Sequence, residues 1–266
     1  EKGWKIRVVP NKFPALTIEG NVDKRGQGLY DRMNGIGAHE VIIETPEHLS
    51  SMVGLNEEHI RNVLWVYRER LLDLKKDVRL VFGLIFKNVG ETAGASLEHT
   101  HSQLITTPIV PIRIEQEIKG GKIFFDYRGR CIFCDVIAQE LEYEKRLVIN
   151  DEHFVAFCPF ASRFPFETWI MPKEHLTHFE TIPQSLLPAL AHILNKVYVK
   201  IESVLKHPAY NMLIHTTPFD MEETEYYHWH VEIIPRLTRM AGYEWGTGFY
   251  INPVPPEDAA KYLREI

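Results

Sequence analysis

The sequence has few cysteines, no long apolar run and no excess of positive charge. Three cysteines in 266 residues are too few for a disulfide framework and are typical of a reducing compartment, so we expect a cytoplasmic protein. No apolar stretch approaches the roughly 20 residues that a membrane helix needs, so no membrane partner is expected. The formal net charge of −6, without a basic stripe, argues against a nucleic-acid partner.

Signals that usually mark the beginning or the division of a chain are also absent. The first residues, EKGWKIRVVPNK, include neither an initiator methionine nor the apolar segment of a signal peptide. They resemble the middle of a fold, so we expect that residues upstream are missing. No low-complexity linker divides the chain, and its length permits one large domain or two of about 130 residues.

The sequence does contain an internal repeat of four elements. In each half, a β-branched strand leads into a stretch with proline, glutamate and histidine, as in residues 40–52 and 167–179. An amphipathic helix follows, predicted over about residues 56–75 and 184–206, with Asn56 as a plausible N-cap. A buried strand and a strand that ends at proline complete each half.

Four matched elements in the same order indicate a duplication. We therefore expect an α+β protein with two duplicated domains, residues 1–120 and 121–266. Each domain would be an antiparallel sheet with helices packed on one face.

A metal site is predicted at the start of the second half. Cys131 and Cys134 form a Cys-x-x-Cys pair, and His175 and His228 occupy repeat-matched positions in the same half. Together they make a Cys₂His₂ set of the kind that binds tetrahedral zinc. Such a site would join the first residues of the second domain to its central strands, so its role would be structural. The alternative is a pair of buried thiols.

The stretch EHTHSQL, residues 98–104, allows several interpretations. On a strand, His99 and His101 would lie on the same face, either as surface histidines, as part of a metal site, or at a site of chemistry. The repeat pairs His99 with His48 as half of a second zinc site, whose two cysteines would precede residue 1. The corresponding histidine of the second half, His230, has no assigned role.

Residues 87–103, KNVGETAGASLEHTHSQ, resemble the active-site stretch of the galactose-1-phosphate uridylyltransferase family, a branch of the histidine-triad (HIT) superfamily. That family has an asparagine, a glycine-rich run, a serine and then His-x-His-x-Gln. The matching residues here are Asn88, Ser96, His99, His101 and Gln103.

Other segments extend the resemblance over nearly the whole chain: 8–16, 131–140, 154–175 and 228–244. It implies that each predicted domain is a HIT-like half-barrel. It also implies a homodimer with sites near the interface.

By this resemblance, the reaction proceeds by two displacements. His101 would attack the α-phosphorus of a nucleotide sugar, and a hexose 1-phosphate would then capture the nucleotidyl group. Gln103 would donate hydrogen bonds to a non-bridging phosphoryl oxygen. Hydrolytic HIT proteins have a titratable histidine at that position, so a glutamine favours transfer over hydrolysis.

The resemblance also assigns the substrate contacts. The nucleoside would contact Asn11, Phe13 and Val41. The phosphates would contact Asn88 and Ser96. The hexose would contact Arg239, Tyr243 and Glu244. Thr238 and Arg239 stand where better-known members have a lysine and an aromatic residue, which leaves the sugar open.

Three functions remain as hypotheses. The leading one is uridylyl transfer from UDP-glucose to galactose 1-phosphate. The first alternative is a related enzyme that acts on an ADP-sugar or a dinucleoside polyphosphate with phosphate as acceptor. The second is an inactive, zinc-stabilised nucleotide-binding protein.

Overall fold

A computed structural model describes residues 3–266, so the first two residues of the predicted N-terminal domain lie outside the described part of the chain. The strands of that part are β1 (Arg7–Pro10), β2 (Arg25–Gln27), β3 (Tyr30–Arg32), β4 (His39–Ile43), β5 (Phe82–Val89), β6 (His101–Thr107), β7 (Leu147–Asn150), β8 (Phe154–Phe157), β9 (Thr168–Pro172), β10 (Tyr210–His215) and β11 (His230–Pro235). The helices are α1 (Glu57–Leu74), α2 (Ile112–Arg128), α3 (Ile132–Tyr143), α4 (Leu187–Val204), α5 (Gly242–Thr247) and α6 (Pro256–Arg264).

Nine strands form one antiparallel sheet in the order β1-β4-β6-β5-β10-β11-β9-β8-β7. The predicted α+β class with an antiparallel sheet is confirmed. The first half contributes β1-β4-β6-β5. The second half, counted from its own edge, is β7-β8-β9-β11-β10, and after the additional edge strand β7 its order β8-β9-β11-β10 is equivalent to that of the first half. This order is what a duplication would produce, but the boundary between residues 120 and 121 stays a prediction.

Helices α1 and α4 lie together on one face of the sheet. Asn56 caps α1 as expected, since its side chain accepts a hydrogen bond of 2.8 Å from the backbone N–H of His59. Both helices direct their apolar stripes, including Tyr67 and Ile201, into one core that spans both halves. The shared core and the β5–β10 pairing join the halves into one unit.

The opposite face differs between the halves. In the second half, α3 covers it, with Ile137 packed on Phe157 and Met171 in a separate apolar cluster. This helix layer adds to the predicted layer on the other face. The described residues form no equivalent cluster on that face of the first half, so we call it the open face. No helix within residues 3–266 is both long and apolar enough to cross a bilayer.

Candidate active site and metal site

His101 lies on β6, the strand that runs through the middle of the first half. Along β6, Ser102 and Leu104 are fully buried on the helix-covered face, where Ser102 contacts Tyr67 of α1. Because side chains alternate along a strand, His101 and Gln103 project from the open face. The sequence pattern predicted a strand that includes His99, but β6 begins at His101, so strand alternation does not place His99 on the face of His101.

The imidazole of His101 is held in one tautomer. Its Nδ1 lies 2.8 Å from the backbone carbonyl of His99, which can only accept, so Nδ1 carries the proton. The lone pair is then on Nε2, and no described residue hydrogen-bonds to that atom. Only 6% of the His101 surface is exposed, so the ring cannot turn freely. A fixed ring with a free Nε2 lone pair is the arrangement that a nucleophile requires.

Gln103 lies beside residues that the sequence assigned to the nucleoside. Val41 is its direct partner on β4, so both side chains share the open face. The Oε1 atom of Gln103 lies 3.3 Å from Nδ2 of Asn11 and 2.8 Å from Nε2 of His39. The structure therefore brings Asn11, Val41 and Gln103 together. Phe13 lies in the same loop as Asn11 and is 80% exposed, so it is not a core residue.

Asn88 is at the end of β5, where the two halves of the sheet meet. It pairs directly with Asn211 of β10, whose Nδ2 donates to Asn88 Oδ1 at 2.8 Å. The loop that follows contains two glycines with positive φ, Gly90 and Gly94. A Cβ at Gly90 would lie 2.7 Å from the Cβ of Ala209, so this position requires glycine.

Ser96 is exposed and lines a cavity of about 630 Å³ next to this loop. Ser51, Glu202 and His207 are also among the lining residues, whereas His101 is not. The structure thus places Ser96 close in sequence to the loop that follows Asn88 but does not show it in contact with His101.

A buried ion pair lies directly beneath His101. Lys87 and Glu44 have fully buried side chains 2.7 Å apart, and the Lys87 ammonium also donates to Thr100 Oγ1 and to the His101 backbone carbonyl. Burial opposes ionisation of the Glu44 carboxyl, but Lys87 and the neighbouring hydroxyl groups keep its pKa below the usual value. Burial lowers the pKa of Lys87. The pair anchors the backbone that carries His101.

The residues assigned to the hexose lie elsewhere in the same chain. Arg239, Tyr243 and Glu244 follow β11, which is three strands from β6, or about 14 Å across the sheet. Tyr243 is 56% exposed, and Glu244 accepts a hydrogen bond from the backbone of Ala241 at the start of α5. No hydrogen bond among the described residues joins them to His101 or Gln103.

The predicted zinc ligands converge. The ligand atoms of Cys131, Cys134, His175 and His228 all lie within 4.8 Å of one another. His175 donates from Nε2 to the carbonyl of Thr224 at 2.7 Å, which leaves its Nδ1 lone pair 3.3 Å from the Cys134 sulfur.

The chemistry of these groups also fits a metal ion. The neighbouring Cys134 thiol, and after it the two histidine rings, hold the pKa of the Cys131 thiol well below its usual range, and a thiolate is the form that binds metal. Burial lowers the pKa of His228, which keeps that imidazole neutral. Two cysteine sulfurs and two imidazole nitrogens suit tetrahedral zinc.

The histidines predicted for a second zinc site repeat part of this geometry. The rings of His48 and His99 are 5.5 Å apart at 61°, and those of His175 and His228 are 5.3 Å apart at 68°. His99 donates from Nε2 to the carbonyl of Thr45 at 2.7 Å, as His175 does to its own carbonyl partner. Within residues 3–266, no third ligand joins the His48–His99 pair.

His230, which had no assigned role, belongs to a buried group of acids and imidazoles. Its ligand atom and those of Glu117, His215 and Glu232 lie within 4.8 Å of one another. The ring of His230 is stacked on Trp169 at 4.7 Å. The group joins α2 to side chains of β10 and β11. These side chains lie on the side of the second half that corresponds to the open face, at the position equivalent to His101.

Comparisons with known proteins place this arrangement in a family. A family model described as "Domain of unknown function (DUF4921)" matches residues 38–265. An ADP-glucose phosphorylase of Arabidopsis thaliana is 36% identical over all of this chain and 76% of its own length. A galactose-1-phosphate uridylyltransferase of Thermotoga maritima is 34% identical over 96% of this chain and 82% of its own length.

The chain belongs to the galactose-1-phosphate uridylyltransferase family. Solved structures of the family have the same fold. The crystal structure of the Arabidopsis thaliana ADP-glucose phosphorylase with bound ADP-glucose has a TM-score of 0.90 at 35% identity, covering 100% of this chain and 83% of that one. A uridylyltransferase structure has a TM-score of 0.92 at 29% identity, covering 99% and 85%. The chain is therefore a nucleotidyltransferase.

The sequence did not indicate four residues that the structure places in or beside the site, namely His39, Asn211, Lys87 and Glu44. His39 is two residues before Val41 on β4, so strand alternation could have placed it on the same face. Asn211 lies in a strand that the repeat had already identified. Lys87 and Glu44 had no sequence signal, because charged residues inside two strands are expected to face solvent.

Proposed function

We propose that the protein transfers a nucleoside monophosphoryl group from a nucleotide sugar to an acceptor phosphate through a covalent nucleotidyl-His101 intermediate. We further propose ADP-glucose as the donor and inorganic phosphate as the acceptor. The observation that carries the proposal is the fixed imidazole of His101, with its lone pair on Nε2 and two amide side chains, Gln103 and Asn88, on the same open face.

In the first step, His101 Nε2 attacks the α-phosphorus of the donor. A phosphorus–nitrogen bond forms, the bond from the α-phosphorus to the bridging oxygen breaks, and glucose 1-phosphate leaves with that electron pair. In the second step, a phosphate oxygen attacks the same phosphorus, and the imidazole leaves as ADP forms. Gln103 and Asn88 would stabilise the charge on the non-bridging oxygens in both steps.

The choice of ADP-glucose rests on similarity to the Arabidopsis thaliana ADP-glucose phosphorylase over the whole chain. The departure at Thr238 and Arg239, beside the hexose-contacting positions, supports an acceptor other than a hexose phosphate. Uridylyl transfer from UDP-glucose to galactose 1-phosphate is the second candidate, supported by similarity to the Thermotoga maritima uridylyltransferase.

Zinc is the proposed metal, held by Cys131, Cys134, His175 and His228. It would stabilise the fold by joining α3 to the segments that precede α4 and β11. We also propose a homodimer in which α5 of one copy completes the site of the other. This would explain why Tyr243 is exposed and why no hydrogen bond among the described residues joins Tyr243 or Glu244 to His101 in their own chain.

Intact-mass measurement tests the proposal. The purified protein is mixed with ADP-glucose, UDP-glucose or diadenosine tetraphosphate without acceptor. We expect an adenylyl adduct from ADP-glucose that disappears when phosphate is added and is absent in His101→Ala. A uridylyl adduct from UDP-glucose that is discharged by galactose 1-phosphate would instead favour the second candidate. No adduct with any donor would contradict nucleotidyl transfer and support a silent nucleotide-binding protein.

A further inference from the structure

A carboxamide can face an anion in two ways, and only one of them stabilises the charge. Its NH₂ end donates hydrogen bonds, whereas its oxygen only accepts and would repel a phosphoryl oxygen. Gln103 and Asn88 therefore contribute to the proposed reaction only if something holds their NH₂ ends toward the substrate. The structure contains two such devices, one for each amide.

The orientation of Gln103 follows from two backbone N–H groups. The N–H of Phe13 donates to Asn11 Oδ1 at 2.9 Å, so the other end of the Asn11 amide is its NH₂. The N–H of Ala15 donates to His39 Nδ1 at 3.1 Å, so neutral His39 carries its proton on Nε2. Both resulting donors lie close to one atom of Gln103, at 3.3 and 2.8 Å, and that atom must be the oxygen. The two donor nitrogens lie 3.0 Å from each other because they share this acceptor.

A flipped Gln103 would place its NH₂ group against two other donors and lose both hydrogen bonds. The observed orientation keeps both bonds and leaves the NH₂ of Gln103 free. His39 makes the shorter of the two contacts. The only lone pair of its neutral ring, on Nδ1, already accepts from Ala15, so the ring cannot accept a hydrogen bond from a flipped Gln103.

The orientation of Asn88 follows from one backbone carbonyl. Asn211 lies 2.8 Å from the carbonyl of Ala93, which can only accept, so the contacting atom of Asn211 is its Nδ2. The same Nδ2 lies 2.8 Å from Asn88, whose contacting atom must then be Oδ1. This leaves the Asn88 NH₂ directed at the glycine-rich loop, 3.7 Å from where a Cβ of Gly94 would be.

We infer that His39 and Asn211 are positioning residues that turn Gln103 and Asn88 so that both amides present N–H groups to the phosphoryl group of the substrate. The inference rests on the proposed function of His101 and deepens it. Neither residue touches the reacting atoms; each acts by occupying the oxygen of an amide that does. The two positioning residues lie on opposite sides of β6 in the sheet. His39 is on β4, next to β6, and Asn211 is on β10, which is separated from β6 by β5.

The test of His39 compares His39→Ala, which removes the donor, with His39→Gln, whose NH₂ reaches about as far as Nε2. The rate of adduct formation at saturating ADP-glucose should fall about 10- to 100-fold in His39→Ala, less than the loss of a direct donor costs. The half-saturating donor concentration should change less than about threefold, because binding is retained. His39→Gln should recover most of the rate. The matched control is His153→Ala at an exposed position.

The test of Asn211 uses a change of charge without a change of size. Asn211→Asp replaces the donating NH₂ with an accepting oxygen, which would attract the NH₂ of Asn88 and turn it away from the substrate. We expect Asn211→Asp to be slower in adduct formation than Asn211→Ala, although it is the closer mimic in shape. Asn150→Ala, at an exposed strand end, is the control. Because Asn211 also donates to the Ala93 carbonyl, urea unfolding of both variants is the second readout: a purely structural role predicts that the slower variant is less stable by a matching amount, whereas positioning of Asn88 predicts a loss of rate beyond the loss of stability.

An NMR measurement separates this inference from the proposed function, because it needs no turnover. The side-chain NH₂ signals of Gln103, identified by their loss in Gln103→Ala, are followed while AMP is added. They should move in wild type and His153→Ala and stay nearly still in His39→Ala. If the wild-type protein forms no adduct but its Gln103 signals move in this way, only the proposed function is rejected. Unmoved wild-type signals, equal shifts in His39→Ala, or variant rates within twofold of wild type would overturn the inference.

Discussion

The ammonium of Lys87 donates a hydrogen bond of 3.0 Å to the backbone carbonyl of His101, from the opposite side of the strand to the imidazole. The same ammonium is paired with Glu44, so the backbone of the proposed nucleophile is anchored to a buried charge. Burying two charges is costly unless both are fully hydrogen-bonded, and here Thr100 and Ser102 supply the additional contacts.

Breaking this pair should strongly destabilise the fold. Lys87→Met leaves an uncompensated buried carboxylate, and we expect a loss of about 3–5 kcal/mol in the free energy of unfolding, measured with urea. Lys87→Met combined with Glu44→Gln removes both charges and keeps an acceptor for Tyr67, so it should recover part of that loss. A double variant less stable than the single one would contradict the role of charge pairing.

The stability of the protein should fall on acidification. The folded-state pKa values of Glu44 and Glu232 lie below those of an unfolded chain, despite burial, because Lys87 and His215 respectively attract the charged forms. Near pH 4 the native state therefore binds fewer protons than the unfolded state, so stability is full above that range and declines below it. Urea unfolding at pH 7 and pH 4 measures the effect.

Comparison with Glu44→Gln isolates the contribution of that carboxyl. Release of metal from the proposed zinc site at low pH would affect both proteins and cancel in the difference. The variant should lose less stability between pH 7 and pH 4 than wild type does, and an equal loss would show that Glu44 does not contribute.

Removal of one thiol should empty the proposed zinc site. Cys134→Ser is expected to lower the zinc content by about one ion per chain, measured by elemental analysis, and to lower the melting temperature. Cys158→Ala is the matched control, since Cys158 is buried between strands and belongs to neither group of ligands. An unchanged zinc content in Cys134→Ser would place the metal elsewhere.

Substitution of the non-titratable Gln103 should change the fate of the intermediate. In Gln103→His, an imidazole can take a proton from water, so the nucleotidyl-His101 adduct should decay about tenfold faster or more without acceptor. Gln103→Ala should instead slow adduct formation by about 100-fold, because a charge-stabilising donor is lost. Time-resolved intact mass distinguishes the two. Equal adduct lifetimes in Gln103→His and wild type would refute this account of the glutamine.

Mixing two impaired variants tests whether α5 serves the other copy. His101→Ala and Glu244→Gln are unfolded and refolded together, so that about half of the dimers contain one of each. If α5 completes the site of a second copy, both lesions fall in one site of the mixed dimer and the other site is intact. About a quarter of wild-type activity should then return. No recovery would place Glu244 in the site of its own chain.

Sequence and structure agree best where the determinants are local. The bounds of α1 and α4 are set by periodic apolar residues and, for α1, by the Asn56 cap, so they were predicted to within a few residues. The beginning of β6 was predicted less well, because the turn from His99 to His101 depends on a local hydrogen bond that no periodicity reveals.

The amino-acid sequence alone determined the His-x-His-x-Gln motif, the Cys₂His₂ set and the order of the repeated elements, because these depend on residue type and spacing. Only the tertiary structure decided which end of each amide is engaged by its neighbours, and how Lys87 and Glu44 are buried beneath His101. The reason is that hydrogen bonds between distant strands set these features. Asn88 and Asn211, for example, are 123 positions apart and meet only because β5 pairs with β10.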